Sequence, residues 1–541
     1  MSDDDDFILR TEDIKPDEVL GLFVPIERDR DLIQKLKSTT PTIIEGSRGT
    51  GKSLLLRVCE QEQLGEFEKN RILPIYVSFS RSSLLSSSDT RQFQHWMLAR
   101  LCSRISRVLT QQGLSVQTTP SMRTLAGGEF EVLGKQSRLE EIADQFEDSY
   151  KAPGTRIDIT GLPTIEKFKD AIEDICDTFK IKRINVLFDE AAHIFRPEQQ
   201  RQFFTLFRDL RSPYMTCNAA VYPGVTSYGD SFESSHDAQI ESLNRDITSR
   251  DYVSQMQDVV FRQAGSQLQD DILKHKNNFA ALAYCVSGNP RLLLKTVALS
   301  GRLRTVDVER VIKEFFRDSI WSEHSGLAER YPGHKSLIDW GRTFIEQTVI
   351  KDTNDKNETW NREKKAERTC FFWVHRDAPE AAREALRLLM YTGIVSRLDV
   401  GVIATRRELG TRYSINIGCL AADARGTVVA YVTDLRRGLT VKRYTEYGSN
   451  YSEFTRIART VGQLVEADLS KVLEKLLSQS VDVLELTGHQ KAALHEIKVN
   501  TIGQALRSKE SDFKKAWYIG PKRSRRIMNV VNAAIFEYLS G

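Results

Sequence analysis

The octapeptide Gly46-Ser47-Arg48-Gly49-Thr50-Gly51-Lys52-Ser53 restricts this chain more than any other stretch. It fits the phosphate-loop pattern G-x-x-x-x-G-K-[ST]. Apolar Thr42-Ile43-Ile44 leads into it and Leu54-Leu55-Leu56 follows, which gives the order strand, loop, helix. Glycines let the backbone fold around a phosphate, so that several N–H groups and a helix N-terminus point at it. In that arrangement Gly46 to Leu54 form the cradle, Lys52 reaches the β- and γ-phosphates and the Ser53 hydroxyl holds Mg²⁺.

The surroundings support a layered α/β fold. Short apolar runs at 41–45, 72–78, 184–188 and 216–222 read as buried parallel strands, and helical patterns at 53–63, 91–109, 164–179 and 198–211 fill the intervals. The stretch 111–163, rich in Ser, Thr, Gly and charge, reads as an irregular insertion or a lid.

The run Ile184-Asn185-Val186-Leu187-Phe188 ends in Asp189-Glu190. Behind a phosphate loop, Asp189 is the expected metal carboxylate and Glu190 the residue that orients a water against the γ-phosphate. A helix start that favours acids is the plainer reading of the same pair. Further on, Ser287-Gly288-Asn289-Pro290-Arg291 breaks one helix and opens another. Arg291 then sits at a helix N-terminus, where its charge opposes the dipole unless something anionic faces it.

Phosphate loop, Asp-Glu strand end and downstream Gly-Asn-Pro-Arg together resemble the AAA+ ATPases of the ORC/Cdc6 and STAND-like branches, over about residues 15–310. The resemblance implies ATP as ligand, Mg²⁺ as cofactor and hydrolysis as the reaction. It also implies a helical lid after the core and Arg291 as the sensor-2 arginine on the γ-phosphate. Leu22-Phe23-Val24-Pro25 would help seat the adenine. The chain departs from the pattern along 218–224, and Asn218 and Thr226 both stand as sensor-1 candidates. The arginine finger stays open among Arg208, Arg211, Arg245 and Arg250. His193 reads as structural or surface, and Cys217 and Cys285 as core.

The second half changes character. Helical patterns at 336–348 and 379–392, separated by a polar run at 351–368, precede an alternating pair at 400–405 and 412–417. Between that pair lies a basic tip with Arg406 and Arg407. This resembles the winged helix that ORC/Cdc6 ATPases carry after the lid, for DNA or for protein contacts. The tyrosines at 431, 444, 447 and 451 read as β-strand residues rather than a nucleic-acid surface. Gly520 stands in the turn of a helix-hairpin-helix signature, followed by Lys522, Arg523, Arg525 and Arg526. Residues 482–540 resemble the C-terminal domain of the bacterial RNA polymerase α subunit.

Composition sets the bounds. The 541 residues are 40% hydrophobic and 28% charged, with a net charge of only +3, so any nucleic-acid surface is a local patch. From residue 488 onward ten Lys/Arg face four Asp/Glu, and the patch is there. The seven cysteines form no C-x-x-C pair, so no zinc ribbon or disulfide framework is indicated. No apolar run reaches membrane length, and the acidic Asp3-Asp4-Asp5-Asp6 is not a secretory signal, so a cytoplasmic protein is expected. The Asp run reads as a solvated tail.

The expected architecture is a tail and linker at 1–20, a P-loop AAA+ core at 21–240 and a helical lid at 241–318. A winged-helix-like domain at 319–425, a linker or β region at 426–480 and a helix-hairpin-helix domain at 481–541 follow. The leading expectation is an ATPase that couples nucleotide state to DNA binding, with self-oligomers as further partners. The alternative is a STAND-like switch that oligomerises on a trigger and acts through a separate effector protein, since the chain shows no nuclease or protease motif. A helicase reading has no motif beyond the two nucleotide signatures.

Overall fold

Five parallel strands carry the first half: β1 (Thr42–Glu45), β2 (Ile72–Ser78), β3 (Arg183–Asp189), β4 (Met215–Val221) and β5 (Gln239–Ser242). Their order is β2-β3-β4-β1-β5, the arrangement of a P-loop AAA+ ATPase core. In the computed structural model the described residues are all except 1–6, 82–84, 86–88, 90, 115–118, 129–135, 153, 191–196, 224–227, 229–231, 234–235, 331–333, 458–476, 485 and 541. Every residue of β1, β3 and β4 is buried, which is why these strands read as short runs dominated by apolar residues. The short edge strand β5 has exposed and half-buried polar residues and leaves no such signal.

Helices Lys52–Gly65, Gln92–Gln111, Ile165–Phe179 and Pro197–Asp209 flank the sheet. One core is built on aromatic rings. Phe79 packs against Trp96 at 5.2 Å and Phe188 at 5.5 Å, and Phe188 meets Phe203 edge-on at 5.4 Å. Each such ring, fully buried, contributes about 2–3 kcal/mol by area alone.

The expected irregular insertion is instead partly helical and part of this core. Helices Pro120–Ala126 and Arg138–Asp148 are formed, the second closed by a Ser137/Glu140 capping box. Leu139, Ile142, Ala143 and Phe146 are buried with the core aromatics. Their spacing of three and four residues is a helix face, which the polar composition around it masks.

The chain divides into two compact units, residues 1–245, 251–269 and 288–298 in one, and 246–250, 270–287 and 299–541 in the other. In the second unit, helix Lys335–Phe344 passes through a π-helical turn, Ile345–Val349, into helix Ile350–Arg362. The polar run at 351–368 is therefore mostly helix, not a separator. Two of its buried polar side chains have partners: Asn354 donates to the Leu420 carbonyl at 3.2 Å and Asn357 to that of Thr369 at 2.8 Å.

A four-stranded sheet follows, made of β6 (Phe371–His375), β7 (Val395–Ile403), β8 (Leu409–Ile415) and β9 (Thr445–Tyr447), in the order β7-β8-β6-β9. β7 and β8 form the expected antiparallel pair, and β6 and β9 extend it. The β region expected after residue 426 is corrected in part. Val428–Gly438 is a helix, N-capped by the Thr427 hydroxyl. Tyr431 lies on that helix and donates to Asn354 Oδ1 at 2.6 Å, while Tyr447 in β9 donates to Asp352 at 2.9 Å.

The last segment has helices Gly488–Glu496, Ile502–Arg507, Glu510–Phe513 and Pro521–Ser540 around buried Ile502, Phe513, Ile527 and Val531. Capping boxes at Thr487/Gln490 and Thr501/Gln504 start the first two. All seven cysteines are buried and unbridged. Among the described residues no helix is long and apolar enough to cross a membrane.

Candidate functional site

The loop after β1 turns because its glycines allow it. Gly49 and Gly51 have φ of +85° and +102°, and Gly51 is the left-handed residue that opens helix Lys52–Gly65. A Cβ on Gly46 would stand 2.5 Å from Thr50 Oγ1. Thr50 donates that hydroxyl to the Ser47 carbonyl at 2.9 Å. The Lys52 ammonium bends back over the loop to the carbonyls of Gly46 at 2.6 Å and Ser47 at 3.0 Å. It also lies 4.3 Å from the centroid of the Tyr222 ring. Burial lowers its pKa to about 8, with Asp189 opposing the shift and Arg291 adding to it.

A cavity of about 270 Å³ opens beside this loop. Arg48, Gly49, Thr50, Gly51, Lys52, Ser53, Leu54, Asp189, Glu190 and Arg291 all line it, so the two motifs and the distant arginine meet in one place. Gly46 and Ser47 do not line it; they hold Lys52 from below through their carbonyls. Leu22, Phe23 and Val24 form part of the wall, and Pro25 does not.

Asp189 ends β3, and its side chain is held at both oxygens. Tyr76 of β2 donates to Oδ2 at 2.6 Å, and the Glu190 backbone N–H to Oδ1 at 2.9 Å. Glu190 takes a left-handed φ of +49°, and its carboxyl is pushed up to about 6 by burial first, then by Asp189 and Glu12. Asn289 caps helix Pro290–Ser300: its Oδ1 accepts from the Leu292 N–H, and its Nδ2 donates to the Arg48 carbonyl at 2.8 Å. The cap of that helix is thus tied to the loop. Arg291 Nε donates to the Leu9 carbonyl at 2.8 Å, so a backbone oxygen faces this guanidinium.

The ORC-CDC6-like family model matches residues 8–369. The chain belongs to the ORC-CDC6-like family. No curated protein matches the sequence. Among solved structures, a Walker-type ATPase of Pyrococcus abyssi is 14% identical, covers 79% of this chain and 97% of its own, and has a TM-score of 0.37. The ORC1 protein of Aeropyrum pernix in complex with DNA is 14% identical, with 78% and 92% coverage and a TM-score of 0.33. The ORC2 protein of the same organism, in ADPNP and ADP complexes, is 11% identical, with 79% and 96% coverage and a TM-score of 0.34.

Within this ORC-CDC6-like core several expected residues fall elsewhere. Asn218 is fully buried and does not line the cavity. Its amide donates to the Leu36 carbonyl and to Asn185 Oδ1, and its Oδ1 accepts from the Thr42 N–H, so its polar atoms are spent on tying β4 to β1, β3 and helix Glu27–Lys37. Thr226 and His193 lie outside the described residues. Of the four finger candidates, Arg245 is inside the cavity wall, paired with Asp29 at 3.0 Å. Arg208 meets Asp209 at 2.8 Å, and Arg211 and Arg250 are exposed.

Other cavity residues carried no sequence signal as site residues. Tyr222 immediately follows β4, and residues Ile8 to Glu12 and Ile14 of the expected tail line the cavity. In the second unit Arg406 and Arg407 are exposed in the turn between β7 and β8, with Arg407 at φ +60°. Gly520 has open space where a Cβ would stand. Lys522, Arg523 and Arg526 are exposed, and Arg525 reaches Glu510 at 3.5 Å.

Proposed function

We propose that this chain binds ATP with Mg²⁺ at the loop of residues 46–54 and hydrolyses it, and that nucleotide state governs how the second unit engages DNA. The observation that carries the nucleotide reading is Lys52. It is a buried ammonium whose nearest partners are two neutral carbonyls, in a cavity that also holds Asp189 and Glu190. A buried cation without a carboxylate in contact is costly, and phosphate oxygens at this point would remove the cost.

Lys52 would hold the β- and γ-phosphates, with the N–H groups of residues 48–54 around them. Ser53 and Asp189 are hard oxygen donors lining the same cavity, which fits Mg²⁺ bound through one carboxylate and one hydroxyl. That ion, when bound, neutralises phosphate charge. Glu190 would orient the attacking water and accept its proton, which requires it ionised. Arg291 would exchange the Leu9 carbonyl for the γ-phosphate. Since the same helix is capped onto Arg48 by Asn289, that exchange gives the nucleotide a grip on the segment after residue 289. Leu22, Phe23 and Val24 supply an apolar wall for a base.

For DNA the support is charge and exposure: Arg406 and Arg407 on a strand turn, and Lys522, Arg523 and Arg526 after an open glycine. Contacts of this kind go to phosphates, so binding would be sequence-tolerant and salt-sensitive. The test is a gel-shift and size-exclusion series in ATP, ADP and no nucleotide. DNA affinity or assembly that changes between ATP and ADP supports the proposal; identical behaviour in all three contradicts the coupling.

A further inference from the structure

One exposed surface of the second unit is aromatic. Trp517 is 72% exposed and Tyr518 65% exposed, side by side, although their flanking residues Ala516 and Ile519 are buried. The chain achieves this with a left-handed backbone at Tyr518, φ +60°, a conformation uncommon for an aromatic residue. His489, exposed near the start of helix Gly488–Glu496, completes the group. Its ring centroid is 6.1 Å from Trp517 and 5.9 Å from Tyr518, and the latter two are 5.6 Å apart. Two large rings turned together into water, on a domain whose core buries Ile502, Phe513, Ile527 and Val531, mark an interaction surface.

Charge says what the surface fits. The Arg523 guanidinium lies 4.2 Å from the centre of the Tyr518 ring and donates to the Tyr518 carbonyl at 2.8 Å. Lys514, Lys515, Lys522 and Arg526 are exposed nearby in sequence. The acids are fewer: Glu496 accepts from the Trp517 N–H, Asp512 pairs with Lys515 and Glu510 with Arg525. Flat rings bordered by guanidinium and ammonium groups match a ligand that alternates flat bases with phosphates. In a duplex the bases are stacked on each other and their faces are closed.

We propose that Trp517 and Tyr518, with His489 at their side, form a stacking platform for unpaired bases of single-stranded DNA, with Lys522 and Arg523 on the adjoining phosphates. The inference rests on the DNA-binding reading above and narrows it to a strand type.

The test uses the full chain and fluorescence anisotropy at fixed salt with three labelled probes: an oligothymidylate, an abasic strand of the same length and charge, and a duplex of that length. The proposal expects the oligothymidylate to bind more tightly than the abasic strand. Trp517→Ala with Tyr518→Ala should weaken it about tenfold or more while leaving the abasic strand and the duplex unchanged. Both rings are exposed, so this variant should fold; Trp517→Leu with Tyr518→Leu, which keeps apolar bulk but no flat face, should lose the same preference. Lys522→Ala with Arg523→Ala should weaken all three probes. Equal binding of thymidylate and abasic strands, or a ring-independent duplex preference, overturns the platform while leaving DNA binding intact. No binding of any probe overturns both readings.

Discussion

Tyr76 donates its hydroxyl to Asp189 Oδ2 at 2.6 Å, joining the neighbouring strands β2 and β3 at the cavity's edge. The Arg57 guanidinium lies 3.7 Å from the centre of the same ring. Burial and the nearby Asp189 charge raise the Tyr76 pKa, so the phenol remains a donor at any working pH. With the Glu190 N–H on the other oxygen, the carboxylate is held at both oxygens.

Tyr76→Phe keeps the ring under Arg57 and removes only the hydroxyl. Loss of a hydrogen bond to a buried carboxylate should cost about 1–3 kcal/mol of stability. The Mg²⁺ concentration for half-maximal ATP turnover should rise several-fold, because Asp189 is no longer held in place. Thermal melts and a Mg²⁺ titration check both; an unchanged Mg²⁺ midpoint means that Tyr76 does not position the metal carboxylate.

The proposed role of Glu190 implies a pH limit. Its carboxyl ionises near 6 in the folded chain against an ordinary value of 4.5. A water-orienting base must be ionised, so kcat/KM should fall as pH drops through about 6. Stability runs the other way. Folding favours the protonated acid, so this group's penalty is absent below pH 4.5, grows between 4.5 and about 6, and is constant above. Glu190→Gln should therefore abolish turnover yet stabilise the chain above pH 6 by about 2 kcal/mol, at about 1.4 kcal/mol per pH unit. Turnover that persists in this variant removes Glu190 from the chemistry.

Asn218 separates a structural role from a catalytic one. Asn218→Ala leaves the buried Thr42 N–H without its side-chain acceptor and should cost about 2–3 kcal/mol. Turnover per folded molecule should be unchanged, because the side chain does not reach the cavity. Turnover lost in a protein that melts normally would restore it as the γ-phosphate sensor.

Where the chemistry is local in the chain, the sequence displayed it. The loop of residues 46–53 needs its glycines and lysine in a fixed order, and four buried strands need apolar runs, so both were readable. β5 was missed because an edge strand such as Gln239–Ser242 carries polar residues. The helix Arg138–Asp148 was missed because composition outweighed the spacing of Leu139, Ile142, Ala143 and Phe146. Helix Ile350–Arg362 was missed because it buries Asn354 and Asn357, which read as loop until their partners are known. Tyr76, Tyr222 and the segment from Ile8 to Glu12 reach the site from distant points of the chain by tertiary packing, and no motif announces them.

The N-terminal segment offers another check. Arg291 is held by the Leu9 carbonyl, and Ile8 by Gln263 Oε1 at 2.8 Å, so residues 8–9 span the cavity wall. Removing residues 1–10 should free Arg291 and open the cavity, speeding ADP release measured with a fluorescent analogue. Unchanged release places this segment outside the nucleotide's path.

Calorimetry with Mg²⁺ and ATP on wild type and Lys52→Ala reads whether Lys52 holds a triphosphate. Lys52 ionises near 8 in the free chain and must be charged to hold phosphate. Wild type should therefore bind at pH 7 and take up protons on binding near pH 8, seen as a binding heat that depends on the buffer. Its affinity should decline above that pH, and Lys52→Ala should bind about 100-fold more weakly or not at all, on the scale of a charged hydrogen bond. Equal affinity of the two proteins, or no binding heat from the wild type, would mean that Lys52 does not hold the nucleotide.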